Sequence, residues 1–97
     1  MHDLNSFKRD MLVVIAGMDN PKGTELTAEL QEHYPEEITA GRVYPQLDDL
    51  VEKGLVQKGK KNGRANEYRL TRRGVRDLKG HREWENHYLA PIDELSP

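Results

Sequence analysis

The chain of 97 residues contains no cysteine, which excludes disulfides and thiolate metal sites. Aromatic residues are scarce, with one Trp and one Phe. The longest apolar run, Met11–Met18, falls far short of the roughly 18–20 residues that a membrane span needs. No basic segment followed by a cleavable apolar stretch opens the sequence, so no signal peptide is expected. His2, His33, His81 and His87 form no His-Glu-x-x-His pattern and no pair of histidines at i, i+4, so no metal is expected. A Gly-rich phosphate loop and a nucleophile elbow are also missing. The adjacent Glu36 and Glu37 would diverge on most backbones and make a poor acid/base couple. Neither an enzyme nor a cofactor is therefore expected. Apolar residues are 35% and charged residues 33% of the chain, enough for one thin core in a single cytoplasmic domain with no membrane partner.

What is present is segregated charge. The formal net charge is −2, yet residues 53–82 carry eleven basic side chains against two acids, Glu67 and Asp77. The remainder is correspondingly acidic. Asymmetry of this kind points to a face for a polyanion, although a charge run can also be a solvated surface.

Local signals give the order of elements. Asn5 can cap a first helix in which Phe7, Met11, Val14 and Ile15 recur at helical spacing and which ends near Gly17. Turn residues 19–23 follow. Thr24 is a candidate cap for a short second helix carrying Leu26, Leu30 and Tyr34, stopped by Pro35. A third helix is predicted from about Thr39–Gly41 to Lys53, with Val43, Leu47, Leu50 and Val51 as its buried stripe. Gly54 suits the left-handed residue just past its end. Asn62-Gly63 predicts a two-residue hairpin turn. That turn would pair Lys61 with Arg64, Lys58 with Glu67 and Val56 with Arg69. Leu55, Gln57, Tyr68 and Leu70 would then face the core, and Val56, Lys58, Lys60, Glu67 and Arg69 would face out. Lys61 opposite Arg64 would place like charges together at the tip, a penalty that an outside anion would remove. Thr71 caps a last helix from about Arg72 to Leu89, with Pro91 pushing Ala90 out of the α region. Val75 and Leu78 would join the core, while Trp84 and Tyr88 lie beyond it.

Three helices, a hairpin and a helix are the order of a winged helix-turn-helix: mainly α with a small β-hairpin and a C-terminal dimerisation helix. Residues 1–71 would form the DNA-binding domain, 72–90 the dimerisation helix and 91–97 a tail. Helix three would lie in the major groove, and the hairpin would be a wing on the backbone or minor groove.

The residues also carry a family resemblance. Gly41-Arg42-Val43-Tyr44-Pro45-Gln46-Leu47-Asp48-Asp49-Leu50, then Lys53-Gly54-Leu55-Val56, resembles the signature of PadR-like winged-helix transcriptional regulators. Tyr68-Arg69-Leu70-Thr71 with Arg73-Gly74 resembles the end of the wing and the start of the last helix in that family. The resemblance covers roughly residues 5–88. The acid-rich remainder and short C-terminal part are similar to haloarchaeal members, including phage-repressor-like ones. Such a resemblance implies a homodimer joined through C-terminal helices on a near-palindromic operator. Members with longer C-terminal regions sense phenolic acids or drugs; this chain has a single C-terminal helix.

The expected function is thus a sequence-specific regulator of transcription on double-stranded DNA, a homodimeric repressor associated with the nucleoid. Arg42 and Gln46 can pair with guanine and adenine from the early turns of helix three. Val43 reads as either a base contact or core. Thr39 reads as a cap compatible with a phosphate contact, and Lys22, Gly23 and Thr24 as a helix start or an ordinary turn. Lys58, Lys60, Lys61, Arg64 and Arg69 are the wing contacts, and Arg72 with Arg73 and Arg76 opens the last helix. Tyr44 and Tyr68 read as packed residues. Trp84, Tyr88 and Leu89 are the expected dimer contacts. Two alternatives stay open. One is an interaction module using an acidic face with Glu25, Glu29, Glu32, Glu36 and Glu37. The other is a regulator sensing a small-molecule effector through Trp84.

Overall fold

The computed structural model describes residues 3–61 and 65–95, with the Lys61 side chain not described. Expectations for Asn62, Gly63 and Arg64, and for the Lys61 side chain, lie outside the described residues.

Helix α1 spans Ser6–Gly17. The Asn5 carboxamide oxygen accepts from the Lys8 N–H at 2.8 Å, satisfying one of the donors that a helix start leaves unpaired. The apolar spacing then buries Phe7, Met11, Leu12 and Ile15. Helix α2 spans Gly23–Gln31, starting two residues earlier than a Thr24 cap would allow. Lys22 takes the cap position, and its N–H donates to the Glu25 carboxylate at 2.9 Å. The helix is over before Tyr34. A side chain at Gly23 would collide with the Tyr44 phenol, whose ring carbons lie 2.5 and 2.6 Å from where its Cβ would be. Glycine there lets α2 and α3 approach closely, and Tyr44 fills the contact.

Helix α3 spans Ala40–Glu52. Pro45 therefore lies inside it, where it supplies no N–H. Beyond α3 the Leu55 N–H donates to Leu50 O and the Gly54 N–H to Val51 O, both at 3.0 Å. Gly54 has φ +76°. This is a Schellman stop, with buried Leu50 and Leu55 as its apolar pair.

Strands β1, Val56–Lys61, and β2, Ala65–Leu70, form the hairpin. The register is not the one that a two-residue turn would impose. Val56 pairs with Leu70, Lys58 with Tyr68, Lys60 with Asn66 and Lys61 with Ala65. Three residues thus separate the strands. Because directly paired residues share a face, this one-residue slip moves every side chain of one strand to the other side. Val56 and Tyr68 now go inward together, 2% and 1% exposed, while Gln57 is exposed. Burying a valine is worth about 1.5–3 kcal/mol. That outweighs the preference of Asn-Gly for the shorter turn, since three-residue connections are among the next most common in hairpins. Pro21 and Lys22 run beside β2, with the Tyr68 N–H donating to Pro21 O at 2.9 Å and a bridge between Lys22 and Glu67. The wing is thereby fixed to the start of α2.

Helix α4 spans Arg72–Leu89, capped by the Thr71 hydroxyl, which accepts from the Gly74 N–H at 3.0 Å. Its beginning packs on α1 and β2, and its remainder projects. The radius of gyration is 14.7 Å, above the roughly 12–13 Å of a compact chain this long. Leu78 packs on the core, but Val75 is 39% exposed rather than buried. Ala90 keeps right-handed helical angles despite Pro91. The expected tail contains a short helix α5, Ile92–Leu95. Among the described residues no helix is long and apolar enough to cross a membrane. None of their His, Asp and Glu side chains gather in threes that could hold a metal.

Candidate nucleic-acid interface

Helix α3 has three sides. Val43, Leu47 and Leu50 are fully buried against the core. Val43 therefore has no surface to offer a base; of its two readings the core one holds, and its place among the DNA contacts is corrected.

A second side turns toward α1. The Arg42 guanidinium lies 4.1 Å from the centroid of the Phe7 ring and 5.6 Å from that of Tyr34. Stacking of this type is worth about 0.5–1 kcal/mol or more where water is excluded. The Tyr34 hydroxyl in turn donates to the Asp10 carboxylate. Burial first, then that hydrogen bond, pushes the Tyr34 phenol up to about 12. One turn further along α3, the Gln46 amide donates to Arg42 O at 3.1 Å and accepts from the Asn5 amide at 3.3 Å. Asp49 then receives Lys8 and Lys53, each at 2.6 Å. Hydrogen bonds from Lys53 and Lys8 hold its carboxyl below the usual carboxylate range. Arg42 and Gln46 are thus engaged within the fold, joining α3 to the first turn of α1.

The third side is solvent-facing: Gly41, Pro45, Asp48 and Glu52 are all exposed. Pro45 is about 200° around the helix from Leu47, on the pole opposite the core. Thr39 occupies the cap position, but its hydroxyl makes no capping bond.

The wing adjoins this outer side. Lys58 Nζ is 3.8 Å from Asp48 Oδ1. Its partner is therefore Asp48, not Glu67, which sits opposite Gly59. Lys60, two residues on, shares the face of Lys58 and is exposed. Arg69 does not: the register puts it on the other face, where its Nε donates to Gln57 at 3.1 Å. Arg72 and Arg73 are exposed on the first turn of α4, with Arg73 3.9 Å from Asp77. The structure brings Lys58 beside α3, leaves Lys60 exposed on the same face of the wing, and sets Arg69 apart from both. Tyr68 is sealed in the core, and burial pushes its phenol up.

A different surface lies between α1 and α4. A groove of about 1030 Å³ is lined by Val13, Met18, Leu70, Val75, Leu78 and Trp84, among others. Val13, Trp84, Tyr88 and Leu89 are 56%, 49%, 64% and 48% exposed. Trp84 stacks on His81 and tilts against Tyr88, each at 5.5 Å between centroids.

The model of the PadR-like transcriptional regulator family matches residues 11–80. The chain belongs to this family. Among solved structures, RosR of H. salinarum, crystallised from NaBr, is 41% identical, with 90% of this chain and 78% of that chain covered and a TM-score of 0.82. A PadR-like regulator of Bacillus cereus is 19% identical, covers 92% of this chain and 89% of its own, and has a TM-score of 0.72. FabT of Streptococcus pneumoniae, solved in complex with DNA, is 18% identical over 98% of this chain and 64% of that chain, with a TM-score of 0.80. No curated protein matches. The PadR-like fold is a winged helix-turn-helix in which α2 and α3 form the turn motif and β1–β2 the wing.

Two features are not found by reading the sequence: the solvent-facing pole at Pro45, and the strand-like pairing of Pro21 and Lys22. In the sequence Pro45 stands out only as an irregularity within a helix. Its offset of two residues from Leu47 is the available signal. Nothing local marks the pairing beside β2.

Proposed function

We propose that this PadR-like protein is a homodimeric, sequence-specific regulator that represses transcription by occupying double-stranded DNA. Helix α3 lies in a major groove and the wing tracks the adjoining backbone or minor groove. The observation that carries this reading is Lys58 beside Asp48. It aligns the basic wing with the outward side of α3, the side a winged helix presents to a duplex. FabT, which shares the fold, was solved with DNA. Thr39, Lys60, Lys61, Arg64 and Arg72 supply further contacts to the backbone. Arg69 is the weakest of the wing contacts, because it lies across the hairpin from Lys58. The acidic flank of α3 at Asp48 and Glu52 repels phosphate, so the wing cations set the distance of approach.

The dimer forms through α4 and α1. Trp84, Tyr88 and Leu89 leave apolar area in water that a second copy would cover. Two copies would place their α3 helices roughly 34–36 Å apart, one turn of the duplex.

A titration of duplex DNA at several salt concentrations tests the reading. Affinity should fall with salt, and Lys58→Ala with Lys60→Ala should reduce the log–log slope by about 0.9 for each phosphate that the variant no longer neutralises. Equal affinity for every sequence would refute specific recognition.

A further inference from the structure

We infer that the major-groove surface of α3 reads thymine methyl groups rather than the hydrogen-bonding edges of guanine or adenine. This rests on the DNA-binding reading above and says how that site selects sequence.

Base-edge recognition through hydrogen bonds needs side chains with donors or acceptors free to reach the groove floor. The two on α3 best suited to it are engaged elsewhere. Arg42 is stacked on Phe7, 4.1 Å from the ring centroid. Gln46 has its amide nitrogen on Arg42 O and its amide oxygen on Asn5. Both belong to the side of α3 that faces α1. Freeing Arg42 would uncover the Phe7 ring, and freeing Gln46 would cost two hydrogen bonds.

The outward side offers different chemistry. Gly41 and Pro45 are exposed there, in the N-terminal half of α3. Neither carries a side-chain donor or acceptor. Gly41, with no side chain, also keeps that half slim, so the helix can enter deeply. The pole residue, Pro45, presents ring methylenes where a groove-bound helix meets the base edges. The thymine C5-methyl is the one apolar group on the major-groove floor, and small apolar side chains are its ordinary partners. The charged residues on this side, Asp48 and Glu52, come later in the helix, and Asp48 has Lys58 at 3.8 Å. They mark where α3 turns away from the phosphates, leaving the slim apolar end to go in. The basic wing holds the helix in place by backbone charge, which carries no sequence information.

The test uses chemically altered duplexes. A binding duplex is first recovered from a random-sequence library by selection on the full-length protein. It is then resynthesised with deoxyuridine for thymidine, or with 7-deazaguanine for guanine. Deoxyuridine removes only the methyl; 7-deazaguanine removes the N7 acceptor that an arginine needs. Losing one buried methyl per half-site should weaken binding about fourfold each, roughly 10- to 20-fold for a dimer. The 7-deazaguanine duplex should bind as the parent does. Pro45→Gly, which takes the ring away, leaves no side chain to meet a methyl and restores an N–H inside α3 at a lower helix cost than proline, should bring the thymidine-to-deoxyuridine ratio toward one. Unchanged binding of the deoxyuridine duplex with a loss on 7-deazaguanine would overturn the inference in favour of Arg42, while leaving DNA recognition intact. If no duplex is recovered by selection, the DNA-binding reading fails, and this inference with it.

Discussion

Gly74→Ala should destabilise this protein even though alanine is the better helix former. Gly74 is the third residue of α4. A Cβ built there would stand 2.2 Å from the Leu55 carbonyl oxygen, roughly 1 Å or more inside ordinary van der Waals contact. The obstacle is backbone, so no rotamer change can relieve it. That same oxygen accepts from the Thr71 N–H at 3.0 Å. The Thr71 hydroxyl donates to Gly54 O at 2.6 Å and accepts from the Gly74 N–H at 3.0 Å. Moving α4 outward to admit a methyl stretches all three bonds at once. Two ordinary hydrogen bonds are worth about 0.5–1.5 kcal/mol each, and a helix cap about 1 kcal/mol. Against them stands a gain of about 1 kcal/mol from replacing glycine in a helix. The net loss is about 1–3 kcal/mol. For a domain of this size that lowers Tm by roughly 5–20 °C. Thermal denaturation followed by circular dichroism measures it, with both proteins at one concentration, because a dimer's Tm depends on concentration. The two physical effects have opposite signs. A Tm equal to or above the parent's would show that α4 does not rest on Leu55 as described.

Three further outcomes follow from the geometry. Val56→Thr should cost about 1–3 kcal/mol by burying an unpartnered hydroxyl, whereas Gln57→Thr should stay within about 0.5 kcal/mol; urea titrations giving the reverse order would restore the shorter turn and its register. Asp49 has a carboxyl held below its unfolded value of 3.8, mainly by Lys53 and Lys8, so its contribution is present above that value and is lost as pH falls through the lower folded one. Asp49→Asn should therefore lower Tm at neutral pH, and the gap should close in acid; a gap independent of pH would contradict the link between α1 and α3. Trp84→Ala should convert the proposed dimer into a monomer in light scattering at micromolar concentration, and a parent that is itself monomeric would remove the dimer from the account.

Much of the candidate site was legible as a region but not as an orientation. The basic stretch from Lys53 to Arg82 marked the wing and the start of α4, because charge is a composition property. The side of α3 to which Arg42 and Gln46 belong was not legible. Their spacing of four puts them on one side of a helix, and only the position of Phe7 and Asn5 on α1 decides what that side meets. Lys58 had a plausible local partner in Glu67 and found a distant one in Asp48.

The chain's local chemistry by itself determined the helix boundaries at Asn5, Gly54 and Thr71, and the span of α4 from Arg72 to Leu89. Capping bonds and a left-handed glycine act over a few residues, so short stretches of sequence contain all their terms. The family signature is equally local. Tertiary packing alone decided the pairing of β1 with β2, the burial of Val56, and the exposure of Val75. Each of these depends on how much apolar area another element can cover, and that area belongs to residues far away along the chain.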